Sequence, residues 1–395
     1  MIAPMALPKA VVPDQRCMNL AYFVHDLNDP AVHRRVRMLH AGGATVSLLG
    51  FYRGDAPIEV DGAVPLALGR TGDARLWQRS AAVLGAALSI PRWRSRLSGA
   101  DAILARQLET LVLATLARKL LAPAAPLVFE CLDIHRLMGA SGPVGRVLRG
   151  VERSMLSRCQ RLVVSSPHFV REHFARVHQR LPQVTVVENK ALAFEFSDPL
   201  PAEPNHKAKP SSPPWRIGWF GVIRCARSLR ILADLANACP GEVEIVIRGR
   251  VATSVLPDFD AVVAATPGLS FGGAYDRARD LPRLYGDVHF AWAVDFYEAG
   301  SNSDWLLPNR LYEAGLFGAV PIACRDVATG AWLAERGVGV LLEGDPTQAI
   351  RTFIGDLDAT RYGALQAGLV ALPRTAFLYS REDCHELVET LVQCD

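Results

Sequence analysis

The chain has 395 residues, half of them apolar and about a fifth charged, with a formal net charge of +3. That length exceeds what one hydrophobic core usually serves, so two domains are expected. The small net charge gives no support for a nucleic-acid-binding protein. Eight cysteines without a C-x-x-C pair argue against a zinc site and a disulfide scaffold.

No signal-peptide pattern opens the chain, and the longest apolar run, Ala81–Ile90, is too short to span a bilayer. A cytoplasmic protein with reduced thiols is expected.

Strands and helices alternate along the first half, which is the pattern of an α/β domain with a parallel sheet. Apolar runs predict strands at Met18–Val24, Thr45–Phe51, Ala102–Leu104, Leu127–Leu132, Leu162–Val164 and Val184–Val187. Helical spacing predicts helices at Ala31–Ala41, in the segment that ends at Leu121, and at Val144–Arg161. We expect an N-terminal Rossmann-like domain over residues 15–198.

The segment Arg75–Leu97 differs in character, because it carries five arginines, Trp77 and Trp93 and no acidic residue. A basic amphipathic helix with tryptophan is typical of contact with a membrane surface. The alternative is a solvated helix that covers one side of the sheet, since Pro91 interrupts the helical stripe.

Residues 199–214 are rich in proline, serine and lysine, which is typical of a linker. The alternative is a long surface loop within one domain. Further strands are predicted at Arg216–Phe220, Val243–Ile247, Leu269–Phe271, Val288–Val294, Val320–Ala323 and Gly339–Leu342. We therefore expect a second domain over residues 215–372, and a C-terminal helix within residues 373–395 that packs towards the N-terminal domain.

The stretch Tyr297–Cys324 is predicted to form a strand end, a polar loop, a short helix and another strand. Pro308 suits the first turn of that helix, and Gly318 suits its left-handed cap. The free N–H groups of a first helical turn, with Arg310 beside them, suit a phosphate. Glu313 lies one turn further along and suits hydrogen bonds from sugar hydroxyls. The pair therefore predicts a nucleotide with a ribose.

Four motifs of the second half resemble, in order, the donor domain of GT-B glycosyltransferases: IGWFGVIR, SFGGAY, LYGDVHFAWAVD and PNRLYEAGLFGAVPIA. The last is similar to the P-x-K-x-x-E…G-x-P-V pattern of group-4 transferases, with Arg310 at the lysine and Glu313 at the ribose carboxylate. The opening AYFVHDLNDPAVHRRVRMLHAGGATVSLLGF resembles bacterial exopolysaccharide transferases of the succinoglycan type. The resemblance implies an α/β protein with the GT-B fold, in which two Rossmann-like domains face each other across a cleft.

The resemblance also implies donor binding by polar residues at the strand ends of the second domain. These candidates are Gly221, Arg224, Arg227, Arg248, Glu298, Asn309, Arg310 and Glu313. Arg224 or Arg227 would neutralise the diphosphate, so no metal is expected. The alternative for each arginine is a surface ion pair. Glu298 precedes Glu313 by fifteen positions, more than the family pattern allows, because GSNSDW is inserted; its role is left open.

Three strand-end side chains of the first domain are candidates for catalysis, namely Asp133, Asp26 and His135. In the inverting glucuronosyltransferase of xanthan assembly an aspartate at a similar strand end is the base, which makes Asp133 the first choice. The alternatives are a helix N-cap for Asp133 and a turn residue for Asp26. His135 would otherwise contact sugar or phosphate. A retaining enzyme needs no protein base, and Asp133 and His135 would then position the substrate.

The expected function is transfer of a hexose from UDP-glucose or a related UDP-sugar to a lipid-linked oligosaccharide in bacterial exopolysaccharide assembly. The basic helices imply a peripheral position on the inner face of the cell membrane, where anionic lipid attracts each Lys or Arg by about 1 kcal/mol. The alternatives are a GT-B-shaped UDP-sugar epimerase and a non-catalytic nucleotide-sugar-binding scaffold. A dinucleotide dehydrogenase is disfavoured because GWFGVIRCAR lacks G-x-G-x-x-G, and no nucleic-acid partner is expected.

Overall fold

A computed structural model describes residues 17–72, 76–134, 136–139, 142–196 and 209–393, without the side chains of residues 76–81 and 136. The catalytic candidate His135 lies outside the described residues, as do residues 199–208 of the expected linker. Every helix in the described part of the chain is too short or too polar to cross a membrane.

Seven strands of the first half build one sheet. They are β1 (Met18–Val24), β2 (Ala44–Tyr52), β3 (Leu66–Arg70), β4 (Ala102–Arg106), β5 (Leu127–Cys131), β6 (Arg161–Val164) and β7 (Gln183–Val186). Their order is β3-β2-β1-β4-β5-β6-β7, with parallel pairing of β1 with β2 and β4, and of β6 with β5 and β7. β4, β5 and β6 are buried at every position, which explains why they are continuous apolar runs. β3 was not predicted, because it has no buried residue.

The helices of the first half follow the strands. They are α1 (Pro30–Ala41), α2 (Leu76–Leu88), α3 (Arg94–Leu97), α4 (Leu108–Leu121), α5 (Pro143–Leu156), α6 (Pro167–Phe169) and α7 (Ala175–Val177), with a π-helical turn at Val170–Phe174. Pro91 interrupts the basic segment as expected, since a 3₁₀ turn replaces the α-helix at Ile90–Trp93. Trp93 is only 3% exposed and its ring lies 6.0 Å from that of Phe23, so it belongs to the core and does not face a membrane. The side chain of Trp77 lies outside the described residues.

Eight further strands follow in the second half. They are β8 (Ala191–Leu192), β9 (Trp215–Ile223), β10 (Val243–Val251), β11 (Leu269–Phe271), β12 (Phe290–Trp292), β13 (Val320–Cys324), β14 (Val340–Leu342) and β15 (Leu378–Tyr379). Six of them form a parallel sheet in the order β11-β10-β9-β12-β13-β14, and β8 pairs with β15. The order reverses between β9 and β12, and parallel sheets bind ligands at such a point, outside the carboxyl ends of the strands.

Helices alternate along the chain with the strands of the second sheet. They are α8 (Ala226–Ala238), α9 (Phe259–Ala265), α10 (Arg277–Gly286), α11 (Asn302–Trp305), α12 (Asn309–Leu316), α13 (Ala328–Arg336), α14 (Pro346–Gly355) and α15 (Ala359–Val370). A further helix, α16 (Arg381–Val392), follows β15. Three tryptophans anchor the core of this sheet, since Trp215, Trp219 and Trp292 are at most 2% exposed. Burial of such large side chains is the main stabilising term of the fold.

By their contacts the residues group into two compact units. The first unit comprises residues 1–105, 109–127 and 385–395, and the second comprises residues 106–108 and 128–384. Within the first unit, His385 Nδ1 lies 3.1 Å from the carbonyl oxygen of Gly42. The domain boundaries expected from the sequence stay a prediction.

Candidate functional site

A cavity of about 250 Å³ lies in the second unit, beside the end of β9 and the segment after β12. It is lined by Phe220, Gly221, Val222, Arg224, Tyr275, Arg277, Asp295, Asn309, Arg310 and Glu313. Gly221, Arg224, Asn309, Arg310 and Glu313 were predicted as donor-binding residues, so the fold brings these five together. Arg227, Arg248 and Glu298 are not among the lining residues.

Gly221 lets the backbone form part of the cavity wall, and it pairs with a second glycine, Gly249. Gly221 and Gly249 are partners in the β9–β10 register, and both have positive φ angles, 115° and 138°. A Cβ atom on Gly249 would lie 1.8 Å from the carbonyl oxygen of Gly221, so no side chain fits there. Because Gly221 has no side chain, a ligand can approach its main chain closely.

The first turn of α12 lies at the cavity. Pro308 is the N-cap residue, one position earlier than the sequence predicts, and Gly318 follows the C-cap with the expected left-handed φ of 72°. Arg310 is the second residue of this helix. Its guanidinium makes a long contact of 3.4 Å to the carbonyl oxygen of Trp292 and no ion pair with any described residue. The helix dipole and this guanidinium together form an anion-binding arrangement.

Glu313 lies one turn further along α12 and is buried, with 3% exposure, and its carboxylate is already hydrogen-bonded. The Arg277 Nη1 donates to Oε1, and the Tyr285 hydroxyl donates to Oε2 at 2.9 Å. Arg277 also donates through Nη2 to Glu195 Oε1 at 2.9 Å. Burial alone would lower the pKa of Arg277, but the two carboxylates raise it above its usual value. The guanidinium therefore stays charged and neutralises both glutamates.

This network fixes the Glu313 carboxylate but leaves it able to accept further hydrogen bonds. Each carboxylate oxygen can accept a second hydrogen bond, and Glu313 still lines the cavity. Burial, and then the charge of Glu313, raise the pKa of Tyr285 and of Tyr275, so both phenols stay neutral. Sugar hydroxyls that reach Glu313 would meet an acceptor whose position is set in advance.

Tyr275, Arg277 and Asp295 are cavity residues that sequence reasoning missed. Tyr275 closes the SFGGAY motif, and Arg277 begins α10 after the N-cap Asp276, whose carboxylate accepts the N–H of Arg279 at 2.9 Å. The motif was therefore a signal for Tyr275 and Arg277. The partner of Arg277 lies 36 residues away, and no local pattern indicates it.

The three other predicted arginines differ in their contacts. Arg224 lies over the ring of Tyr297 at 4.6 Å, and its Nη2 is 3.8 Å from Asp295 Oδ2. The guanidinium of Arg227 lies over the ring of Phe296 at 4.3 Å. At a distance of 3.8 Å the ion pair of Arg224 is weak, so this side chain can turn towards an anion in the cavity.

Arg248 holds a turn. It donates through Nε to the carbonyl of Gly273 at 3.1 Å and through Nη2 to the carbonyl of Ala274 at 3.0 Å. These bonds fix the turn that precedes Tyr275. Arg248 thereby supports the cavity wall rather than lining the cavity.

The inserted residues after Glu298 fold back around it. The N–H of Glu298 donates to Ser303 Oγ at 2.9 Å, and Ser301 Oγ donates to the carbonyl of Glu298 at 3.0 Å. Asn302 Nδ2 donates to Glu298 Oε2 at 2.8 Å. The insertion thus holds both the backbone and the side chain of Glu298.

Asp133 follows β5, and its side chain is exposed. Its Oδ1 accepts a hydrogen bond from Gln107 Nε2. Gln107 has a φ of 77°, which an L-residue seldom adopts and which marks a functional or strained position. Beneath them Arg106 and Glu130 form a buried ion pair of 2.8 Å, so the strand ends that carry Gln107 and Asp133 are tied together.

Asp26, the second catalytic candidate, lies in the first unit and is 7% exposed. Its Oδ1 accepts the N–H groups of Asn28 at 3.1 Å and Arg53 at 3.2 Å, and Arg53 Nε lies 3.5 Å from Oδ2. These contacts are those of a turn residue, the alternative that the sequence left open.

A relative is similar over almost the whole chain. The succinoglycan biosynthesis protein ExoL of Rhizobium meliloti (strain 1021) is 41% identical over 375 residues, which cover 95% of this chain and 93% of the relative. The chain belongs to the ExoL family. No family model matches the chain of this ExoL-family protein.

Solved structures share the fold of this ExoL-family protein. HepE from Anabaena in complex with UDP and glucose has a TM-score of 0.67 and 16% identity, covering 95% of this chain and 99% of its own. The lipopolysaccharide outer core galactosyltransferase WaaB has a TM-score of 0.63 and 13% identity, with coverage of 95% and 99%. The GT-B fold predicted from the sequence is therefore confirmed.

One group of described residues in the ExoL-family chain has the composition of a metal site, namely Glu152, His173 and His178, all buried. His173 Nε2 lies 3.0 Å and His178 Nε2 2.7 Å from Glu152 Oε2, which are hydrogen-bond distances. Burial would raise the pKa of Glu152, but the hydrogen bonds and charges of the two histidines hold it below its usual value. Two imidazoles and a carboxylate are ligands that zinc accepts, yet hydrogen bonding alone accounts for this geometry.

Proposed function

We propose that this chain transfers a hexose from a UDP-sugar to a lipid-linked acceptor in exopolysaccharide assembly, without a metal. The observation that carries the proposal is the cavity in which the first turn of α12 and Arg310 lie beside the carboxylate of Glu313. Phosphate and ribose groups are neighbours in a nucleotide, and this cavity offers a neighbouring partner for each. The complexes of HepE with UDP and with UDP-glucose support UDP as the carrier.

In this proposal Arg310, the N–H groups at the start of α12 and Arg224 bind the diphosphate. Positive charge at this position stabilises the negative charge that the leaving UDP gains, which is the task a metal performs in other enzymes. Glu313, held by Arg277 and Tyr285, accepts hydrogen bonds from the ribose hydroxyls.

Asp133 is the proposed base of an inverting reaction. Its carboxylate takes the proton of the acceptor hydroxyl as that oxygen attacks the anomeric carbon. The bond from the anomeric carbon to the phosphate oxygen breaks, and its electron pair leaves with UDP. An exposed carboxylate at the carboxyl end of a buried strand is accessible to an acceptor, as this role requires.

If the acceptor is lipid-linked, the protein must act at a membrane surface. Val144 and Val147 of α5 are 52% and 65% exposed on a helix that also exposes Arg146 and Arg153. Apolar side chains flanked by arginines suit an anionic bilayer. Flotation with anionic vesicles at low and high salt tests this part: we expect binding at low salt only, and absence from the vesicle fraction at low salt would overturn it.

Two measurements test the function. Thermal shift with UDP, GDP and dTDP should show stabilisation by UDP above the other two, and UDP-sugars with a lipid-linked acceptor should then give UDP and an extended lipid. The variant Arg310→Ala should lose UDP binding, whereas Arg250→Ala, an exposed arginine outside the cavity lining, should keep it.

The outcome also separates the rival functions. An altered sugar nucleotide formed without acceptor would indicate an epimerase. UDP-sugar binding without hydrolysis or transfer would indicate a scaffold. A protein that none of the three nucleotides stabilises would contradict the proposal altogether.

A further inference from the structure

Asn302 has a position that the family pattern does not explain. It lies in the GSNSDW insertion, begins α11, and is 4% exposed despite its polar amide. A buried amide is costly unless its donors and acceptor are all satisfied.

The amide of Asn302 bonds to both backbone groups of one distant residue. Its Oδ1 accepts the N–H of Ile134 at 2.7 Å, and its Nδ2 donates to the carbonyl oxygen of Ile134 at 2.9 Å. The second hydrogen of Nδ2 goes to Glu298 Oε2 at 2.8 Å. These residues belong to the same compact unit, although Ile134 and Asn302 are 168 positions apart in the chain.

Ile134 directly follows Asp133. An amide that holds both the N–H and the C=O of Ile134 fixes the peptide next to the Asp133 carboxylate. The same amide holds the carboxylate of Glu298, one of the predicted donor-binding residues. Trp305 of the same helix packs edge-on against Phe169 at 6.4 Å, so an apolar contact also seats α11.

We propose that Asn302 is a positioning residue for glycosyl transfer, because its amide sets the Asp133 loop and the Glu298 carboxylate in one fixed geometry. The insertion after Glu298 supplies this residue. The inference rests on the proposed function, in which Asp133 acts on the acceptor. A misplacement of about 1 Å can reduce turnover about a hundredfold even when the substrate still binds.

The test compares three variants with the wild-type chain in UDP binding, kcat and KM. Asn302→Ala should lower kcat about 10- to 100-fold and leave UDP affinity unchanged. Asn302→Asp keeps the acceptor for the N–H of Ile134 but, when ionised, lacks a donor and faces the Glu298 carboxylate. Its kcat relative to wild type should rise as the pH falls, since a protonated carboxyl can donate again.

Arg118→Ala is the control. Arg118 Nε also donates to a backbone carbonyl, that of Ala125 at 2.6 Å, and neither residue is a predicted site residue, so its loss mimics the structural part of the change. We expect wild-type kcat from this variant. Asn302→Ala combined with Glu298→Gln should cost less than the two single changes together, because both act through one contact.

The inference is overturned if Asn302→Ala turns over like the control, or if Asn302→Asp has the pH profile of the wild type. Should the alanine variant fail to fold, the nearly isosteric aspartate variant carries the test through its pH profile. A wild-type chain that binds UDP but never transfers a sugar contradicts the proposed function. A wild-type chain that transfers while both Asn302 variants match it contradicts this inference alone.

Discussion

Two carboxylates of the second unit, Glu313 and Asp133, have opposite environments. Glu313 is 3% exposed and receives hydrogen bonds from Arg277 and Tyr285, and Arg277 in turn bonds to Glu195. Asp133 is exposed at the end of a buried strand, beside Gln107. A carboxylate that only binds can be buried and fixed, provided that a cation neutralises it. One that must take a proton from an incoming hydroxyl has to remain reachable.

The variant Asp133→Asn gives the sharpest test of this contrast. Removing a general base should lower kcat about 10²- to 10⁴-fold, while the UDP cavity and its affinity stay unchanged. Turnover with a UDP-sugar and acceptor, together with the dissociation constant for UDP, measures both. Asp260→Asn, an exposed aspartate of α9, is the control and should be fully active. Near-normal turnover in Asp133→Asn would remove Asp133 as the base and favour a retaining reaction.

Arg277→Ala, unlike Asp133→Asn, is expected to weaken UDP binding and to destabilise the fold. Removing this guanidinium leaves the buried carboxylates of Glu313 and Glu195 without their cation, which should cost about 3 kcal/mol of unfolding free energy and weaken UDP binding. Urea unfolding measures the first effect. Arg279→Ala, in the same helix and paired with Asp280 at 2.9 Å on the surface, should cost much less stability, because solvent screens an exposed ion pair. Equal losses for the two arginines would mean that the Glu313 network is no more than a surface ion pair.

The sequence predicts the local elements that carry these carboxylates, but it does not predict the contacts between residues far apart in the chain. β1 is predicted at its observed bounds, and the turn of α12 with Arg310 and Glu313 follows from a proline, a glycine and helical spacing. The Arg277–Glu313 and Asn302–Ile134 contacts join residues 36 and 168 positions apart, and only the folded sheet brings them together. β3 and the β8–β15 pair were missed because short or exposed strands carry no periodic apolar signal.

The rigidity of the donor side depends on its backbone as well as on Glu313. Gly249→Ala would place a Cβ atom 1.8 Å from the Gly221 carbonyl at a φ of 138°, so we expect a loss of at least about 2 kcal/mol. Gly150→Ala is the control, because a Cβ there meets no atom within 4 Å in the interior of α5. It should stabilise the protein by about 0.5–1 kcal/mol. Similar stability of both variants in urea would show that the β9–β10 crossing can relax.

The fold also contains a buried, paired carboxylate, Glu152. Burial, and then the charge of Glu152, raise the pKa of the Cys131 thiol on β5, two residues before Asp133. Burial would raise the pKa of Glu152, but His173 and His178 hold it below its ordinary value of 4.5. The unfolded chain therefore takes up this proton first as the pH falls. The stabilisation is complete above the unfolded pKa and is lost as the pH falls through the folded pKa. Glu152→Gln should be less stable at neutral pH and should lose less stability on acidification, as urea unfolding across that range would show. A parallel pH dependence in both proteins would mean that Glu152 is not ionised in the folded chain.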